Sequence, residues 1–501
     1  MFFDFIQALA LNPLVFVIVV LGIVYFFVAG DHPDDAPPMP ESPYPFLGHL
    51  PMMRKNPREK MKEWTEKSGN IFSIYIGSQL TVVLSGIEVL KEAFVKQADI
   101  FTDRPQLYDA SLSPEGHKGI ITSSGENWKE QRTVTLSILR SFGMGKNSFA
   151  EKIEKEVEIY LNALSELKGE PSNIKILTDS CVSNVICNII KGQRFELGDP
   201  DLVRLLNTVD NYVLLTGRSF ILNIFPWLRF VPGDPFAGVK IKKYFTEIRD
   251  YLRDNFVEPI RKNVDDNNTD SLIAEYIREM RKRQASGTAT TMDDGNLIRL
   301  IFHLFTAGTE TSSTTIVWFV LFMIHHPDVL AKIYKEIEDV VGREQVPSIQ
   351  ERTKLNYLNA CIMETQRLGS IAPFSLQHLC SKTTTVGGYT IPQGTVIMPC
   401  LDYVLRFDKS WGDPHNFRPG RFLDDSGKLK VFDEFVPFSL GRRVCLGESL
   451  AKMELFLFLA RICQRFDIQP AVKGQLPSLK GVFGLTVTPE AYEVRFVERE
   501  M

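Results

Sequence analysis

No charged residue stands between Asp4 and Asp31, and within that gap residues 14–29 are apolar at nearly every position. A run of this length spans or nearly spans a bilayer. No lysine or arginine precedes it, and it is long for a secretory leader, so it departs from the usual pattern of a cleaved signal peptide. The seven cysteines, Cys181, Cys187, Cys361, Cys380, Cys400, Cys445 and Cys463, are odd in number, widely spread and without paired metal-site spacing. That excludes a disulfide framework and fits a reducing compartment. A formal net charge of -4 gives no global attraction to nucleic acid, which is expected to be no partner, so charge matters only locally. No G-x-G-x-x-G fingerprint opens a helix, and the chain therefore carries no dinucleotide site by that signature. Internal repeats are lacking too, and no clean linker divides the chain after residue 50.

What is present is an ordinary globular balance, 44% hydrophobic and 24% charged over 501 residues. The apolar run defines residues 1–30 as a membrane anchor. Residues 31–50 follow with Pro33, Pro37, Pro38, Pro40, Pro43 and Pro45, and proline at this density predicts a stiff, extended hinge. The first basic residues, Arg54, Lys55, Arg58, Lys60 and Lys62, lie beyond the run and put residues 51–501 on the cytoplasmic side. Residues 70–84 alternate as a hairpin around Gly77-Ser78, residues 381–396 read as short strands, and most of the rest has helical periodicity. The fold class is mainly α with a small β-rich part.

Several stretches carry chemistry. Phe438-Ser439-Leu440-Gly441-Arg442-Arg443-Val444-Cys445-Leu446-Gly447 places one cysteine between two glycines, just before an amphipathic run. Gly441 and Gly447 let the backbone turn tightly against a flat ligand, and a sulfur at a helix N-terminus beside an arginine has its thiolate favoured. Trp128 and Arg132 lie four apart on one helix face; alone, the pair also fits a surface tryptophan packed over an arginine stem. Residues 297–325 form the longest helical candidate, interrupted by Ala307-Gly308-Thr309-Glu310-Thr311-Ser312, where glycine and hydroxyl residues break the helical rule. Such a break marks either a plain kink or a functional site. Glu364 falls on an apolar helix stripe three residues before Arg367, and a carboxylate there needs a buried partner.

Together these stretches, in this order, resemble the cytochrome P450 superfamily, closest to microsomal members that oxidise steroids, fatty acids and foreign compounds. The resemblance implies the cytochrome P450 fold preceded by one N-terminal transmembrane helix, with haem b held through Cys445 as its iron ligand. Phe438, Gly441, Arg443 and Gly447 belong to the ligand loop. Trp128, Arg132, Arg443 and His378 are implied to meet haem propionates, and Glu364, Arg367 and Arg421 to form a structural clamp. The commoner form of the motif around Arg421 has a glutamate where this chain has Gly420. Thr311 and Glu310 are implied to serve dioxygen and proton delivery, in a widened turn of their helix. Residues 104–120, 220–236 and 482–486 correspond in order to substrate-facing or membrane-touching segments.

The implied function is insertion of one oxygen atom from O2 into an apolar substrate. NADPH is used indirectly, through NADPH-cytochrome P450 reductase, with cytochrome b5 as a second donor. Lys129, Arg140, Arg442, Lys452 and Arg461 are expected on the docking face. The location is the endoplasmic reticulum membrane, single-pass, facing the cytosol. An oxygen-independent haem-thiolate isomerase or dehydratase and a non-enzymatic haem sensor are the alternatives; the Glu310-Thr311 pair speaks against the first.

Overall fold

The computed structural model describes residues 35–143, 147–264, 271–342 and 344–499, together with Val17 and Gly22. Apart from those two positions, the anchor expected over residues 1–30 lies outside the described residues. Among the described residues no single helix is long and apolar enough to cross a membrane.

The longer helices are α1 (Pro57–Ser68), α2 (Gly125–Ser141), α3 (Asn147–Glu166), α4 (Lys175–Lys191), α5 (Pro200–Ser219) and α6 (Gly238–Leu252), followed by α7 (Leu272–Ala285), α8 (Asp294–His325), α9 (Pro327–Val340), α10 (Asn356–Gly369) and α11 (Glu448–Arg465). Their ends follow local chemistry. Asn56, Asp199, Ser271 and Asp293 each accept a hydrogen bond from a first-turn backbone N–H, satisfying donors that a helix start leaves open. Proline follows directly at the start of α1 and α5, where its missing N–H costs nothing. Pro327 ends α8 and opens α9, and the two axes bend by 109° there.

Strands β1 (Ile71–Ile76) and β2 (Gln79–Leu84) form the expected hairpin. With β3 (His378–Leu379), β4 (Thr384–Val386), β5 (Tyr389–Ile391) and β6 (Val396–Pro399), they build a four-stranded sheet in the order β1-β2-β6-β3 and a separate β4-β5 pair. β2 and β6 run parallel, which brings residues more than three hundred positions apart into register. Near the C-terminus β7 (Phe466–Pro470) pairs with β10 (Val494–Glu498), and β8 (Gly481–Phe483) with β9 (Val487–Pro489).

The central helix α8 has 32 residues and is about 48 Å long at the usual rise. It packs on α4, α6, α10 and α11. Gly308 serves this packing: a Cβ there would stand 2.6 Å from Ile186 Cδ1 on α4. The expected widened turn is absent, because helix continues without a break from Asp294 to His325. The hydroxyl residues instead bond one turn back, Thr311 Oγ1 donating to Ala307 O at 2.9 Å and Thr315 Oγ1 to Thr311 O at 2.8 Å.

The proline-rich stretch departs from a free spacer once Asp35 is reached. The Asp35 carbonyl accepts from Thr390 N, and the Pro38 carbonyl from Ser73 N, both at 2.9 Å. Glu41 accepts from Trp64 Nε1 and Lys60 Nζ, while His49 is fully buried and bonded to Tyr75 N. Its carbonyls thus find donors on the domain, and the chain is strapped to the first sheet.

Candidate active site

The cysteine loop is shaped by one close approach. Gly441 has φ +76°, and a Cβ there would collide with the Phe94 carbonyl oxygen; only glycine fits. The loop closes through Cys445 N donating to Phe438 O at 3.0 Å and Val444 N to Gly441 O at 3.1 Å. Gly447 differs, with φ -89° at the N-cap of α11 and nothing within 4 Å of an added Cβ, so the protein's own packing does not demand glycine there.

Cys445 is the one exposed cysteine, the other six being buried. Although its surface is reachable, protein surrounds the sulfur, and this burial raises its pKa; backbone N–H groups of Gly447 and Glu448 and the charge of Arg132 offset only part. The helix end and Arg132 do favour the thiolate, but desolvation outweighs them. Arg443, the nearest arginine in sequence, turns away to donate to the carbonyls of Thr102, Ile120 and Ser123 at 2.7, 3.1 and 2.6 Å. A bound metal cation is the counter-charge that deprotonates such a thiol outright.

Around this loop three arginines converge. Arg132 donates to Val444 O at 2.7 Å. Arg443 stacks over the Trp128 ring at 4.0 Å, and Arg104 donates to Leu376 O and Gln377 O at 2.8 and 2.6 Å. All of these hydrogen bonds go to carbonyl oxygens, none to a carboxylate. Burial and then mutual repulsion push Arg104 down to about 9 and Arg443 to about 8. Buried Arg104 Nε and Trp128 Nε1 have no hydrogen-bond partner among the described residues. Desolvated cations with orphaned donors are strongly unfavourable without an anion, so the set fits a dianionic flat group such as haem.

Arg104 was not singled out in the sequence; the signal available was only an arginine directly before Pro105 in a loop-rich stretch. His378 lies beside the cluster, stacked on Phe94 at 4.3 Å, with Nδ1 donating to Phe101 O at 2.6 Å. Burial, and then Arg104, hold it neutral, its pKa far below the usual range. With the proton assigned to Nδ1, Nε2 accepts rather than donates. A propionate contact would therefore require the imidazolium.

On the opposite side Thr311 and Ser312 of α8 line one cavity with Phe438 and Ala451. Helix α8 and the cysteine loop thus face a shared space. Glu310 points elsewhere: its carboxylate is buried, accepting from Thr314 Oγ1 and Thr486 Oγ1 at 3.0 Å each and from Lys175 Nζ at 3.3 Å. Below Ser312 sits Glu454, reached by Ser312 Oγ at 2.7 Å, its Oε1 without a partner among the described residues. Complete burial raises Glu454 to about 8, so it is a neutral acid at pH 7. Its signal in sequence was a carboxylate inside an apolar run, Met453-Glu454-Leu455-Phe456.

That acid gives a testable pH dependence. Between 4.5, its ordinary value, and about 8, the folded protein holds a proton that the unfolded chain has lost, so stability falls as pH rises through this window. Glu454→Gln keeps the acceptor for Ser312 and cannot ionise. Its thermal midpoint should equal the parent's near pH 5 and exceed it increasingly toward pH 8; parallel curves would show that Glu454 does not titrate there.

The clamp residues meet as a fully buried triad. Arg367 Nε and NH2 donate to Glu364 Oε2 and Oε1 at 2.7 and 2.9 Å, and Arg421 Nε to Glu364 Oε1 at 3.1 Å. Spare donors of both arginines end on carbonyls of Leu405, Pro414, Trp411, Asp413 and Asn416. Nothing surrounds a Cβ at Gly420, and the triad closes without a carboxylate from that position.

The sequence matches the family described as Cytochrome P450 over residues 37–496. This chain belongs to the cytochrome P450 family. Among curated P450 relatives, it is similar to cytochrome P450 2U1 of Rattus norvegicus, 36% identical over 86% of this chain and 81% of the relative. It is also similar to cytochrome P450 2B4 of Oryctolagus cuniculus, 36% identical over 92% and 94%, and to cytochrome P450 2J2 of Homo sapiens, 35% over 95% and 94%. It is a P450 monooxygenase, and the family implies haem.

The cations expected on the P450 docking face are mostly engaged within the chain. Lys129 pairs with Glu126 at 2.7 Å, Lys452 with Glu448 at 2.6 Å, and Arg442 with Asp99. Arg461 is excluded from that face: it is buried, donating to Pro347 O at 2.9 Å and pairing with Glu154 at 3.2 Å. Its guanidinium finds its partners inside because α11 is buried on nearly every side from Met453 onward.

Proposed function

We propose that the protein is a membrane-anchored haem-thiolate monooxygenase that inserts one atom of O2 into an apolar steroid, fatty acid or foreign compound. Residues 1–30 form the anchor, the proline-rich segment over residues 31–50 joins it to the domain over 51–501, and the domain faces the cytosol at the endoplasmic reticulum. Exposed Trp227 and Phe230, 63% and 73% accessible, support contact of residues 220–236 with lipid, since large apolar groups so exposed mark an interaction surface. The observation that carries the chemistry is the juxtaposition of Cys445 with three arginines that have no carboxylate hydrogen-bond partner among the described residues and with the Thr311 side of α8.

In this reading Cys445 would ligate the haem iron and Trp128, Arg104, Arg132 and Arg443 would meet the propionates, while His378 would join them only where the propionate charge restored the proton that burial and Arg104 withhold. Haem so held supplies activation of dioxygen, to which the thiolate contributes electron density. The chain does the rest. Gly441 and Phe438 fix the sulfur's position, and the clamp fixes the loop beneath. The Thr311 hydroxyl lines the cavity and would donate there on turning its one proton from Ala307 O, and Glu310, paired with Lys175 behind the helix, would have to turn toward Thr311 to act as its general acid. Electrons arrive from NADPH through a reductase, with cytochrome b5 as a second donor.

The test is a screen of steroids, fatty acids and drug-like amines for a shift in the haem spin-state spectrum, followed by turnover with NADPH and reductase. A shifting compound that is oxidised only when NADPH is supplied is expected. Conversion of such a compound without NADPH or O2 would favour the isomerase reading instead.

A further inference from the structure

The surface beside residues 220–236 is charged as well as apolar. Residues 218–243 hold five cations, Arg218, Arg229, Lys240, Lys242 and Lys243, against one acid, Asp234, in a chain whose formal net charge is -4. All five cations are exposed, and none of them forms an ion pair among the described residues. Around the cysteine loop, by contrast, Lys129, Arg442 and Lys452 are matched within the chain. The single acid is also withdrawn, because the Asp234 carboxylate accepts from Val239 N and Lys240 N at 3.1 Å each, at the start of α6. An unmatched cluster of positive charge is left facing outward.

Packing gathers these cations around one apolar surface. A Cβ on Gly238 would stand 3.5 Å from Arg229 Cβ, so the turn that carries Trp227 and Phe230 rests on the first residues of α6. Along α6 the inward positions are Ile241, Phe245 and Ile248, while exposed Val239 and Lys243 stand one turn apart on the outward face. Phe220 and Ile224 pack in the same cluster as Leu50, Met52 and Met53, which brings exposed Arg54 and Lys55 to the other flank. Tyr44 and Leu47 of the strap are exposed beside them. The apolar groups thus have cations on two sides.

We propose that this face binds the anionic headgroups of a phospholipid surface, with Trp227, Phe230 and Val239 entering the boundary of the acyl chains and the α6 lysines meeting the headgroups. The inference rests on the reading of residues 220–236 as lipid-touching, and adds the class of lipid. Exposed aromatic and apolar groups insert at the boundary of any bilayer, whereas each basic residue close to an anionic leaflet adds an attraction that salt screens. Lysine suits this place, since its stem lies along apolar surface while its charge stays at the headgroup level. Charged flanks on both sides, Arg54 with Lys55 and α6, restrain the domain from rolling about its anchor.

The experiment uses the full-length haem protein in phosphatidylcholine vesicles with brominated acyl chains, prepared with and without phosphatidylserine. Trp227 is the one exposed tryptophan of five, Trp64, Trp128, Trp318 and Trp411 being buried, so contact quenching reads that residue; subtracting the signal of Trp227→Phe isolates it. Phosphatidylserine should increase the quenching, and sodium chloride should reverse the increment. Lys240→Gln combined with Lys243→Gln should lower the ratio of lipid-bound to free face about fivefold for each lysine removed, while Lys240→Arg combined with Lys243→Arg should keep it. Equal quenching in the two vesicle types would overturn the proposal and spare the lipid contact. No Trp227 quenching in either would remove the contact itself and the proposal with it. An increment retained in the double glutamine variant would overturn the role given to α6. Reversal by inorganic phosphate, but not by sodium chloride of equal ionic strength, would mark a discrete phosphate site and overturn the lipid surface as occupant.

Discussion

Cys445→Ser is expected to abolish the strongly red-shifted Soret band of the reduced carbon monoxide complex. Serine keeps the size and the Phe438 O contact made by the backbone N–H, so the loop should still form around Gly441. What it removes is the sulfur, the one atom that gives a thiolate donor. The arginines at 104, 132 and 443 are untouched, and haem content should fall less than the band does. That difference separates loss of the ligand from loss of the site. Persistence of the shifted band in the variant would remove Cys445 as ligand, and no other cysteine is a ready substitute, since the remaining six are buried.

The second large effect is expected at the clamp. Glu364→Gln leaves the Arg367 guanidinium buried with no counter-charge among the described residues and Arg421 with only Asp413, 3.0 Å away, and the arginine side chains are 0% and 2% accessible. Breaking a buried pair by removing one partner costs about 3–5 kcal/mol, a large share of the roughly 5–15 kcal/mol that holds a folded protein together. Chemical denaturation followed by tryptophan fluorescence should show that loss as a lower midpoint. Trp411, whose carbonyl accepts from Arg421 and whose ring lies 5.3 Å from the Arg367 guanidinium, gives a local reporter. A change within about 0.5 kcal/mol, the range of neutral surface substitutions, would show that the carbonyl cage and Asp413 satisfy both arginines without Glu364.

Legibility in the sequence followed the range of each interaction. Gly441, Cys445 and Gly447 are neighbours in the chain, and Trp128 with Arg132 or Glu364 with Arg367 share one helix face, so spacing alone exposed them. Glu364 also betrayed itself by lying on an apolar stripe. The same signal stood at Glu454 and marked an acid that is neutral at pH 7. Arg461 misled because a cation on a helix reads as solvated unless the burial of the whole helix is known. Lys175, Asp179 and Asp210 carry no local signal that separates them from solvated charges on amphipathic helices. Gly308 of α8 was legible as a break in helical preference but not in its cause, which is the approach of Ile186 from α4.

The sequence by itself determined the family and the order of helices and singled out Cys445, because these rest on residue chemistry and short periodic patterns. Tertiary structure decided which charges meet. Arg421 reaches Glu364 across 57 positions, Lys175 reaches Glu310 across 135, and Arg443 meets the carbonyl of Thr102 across 341. Periodicity says which face of a helix is buried but not which other face covers it, and the pKa of a buried group is set by what covers it.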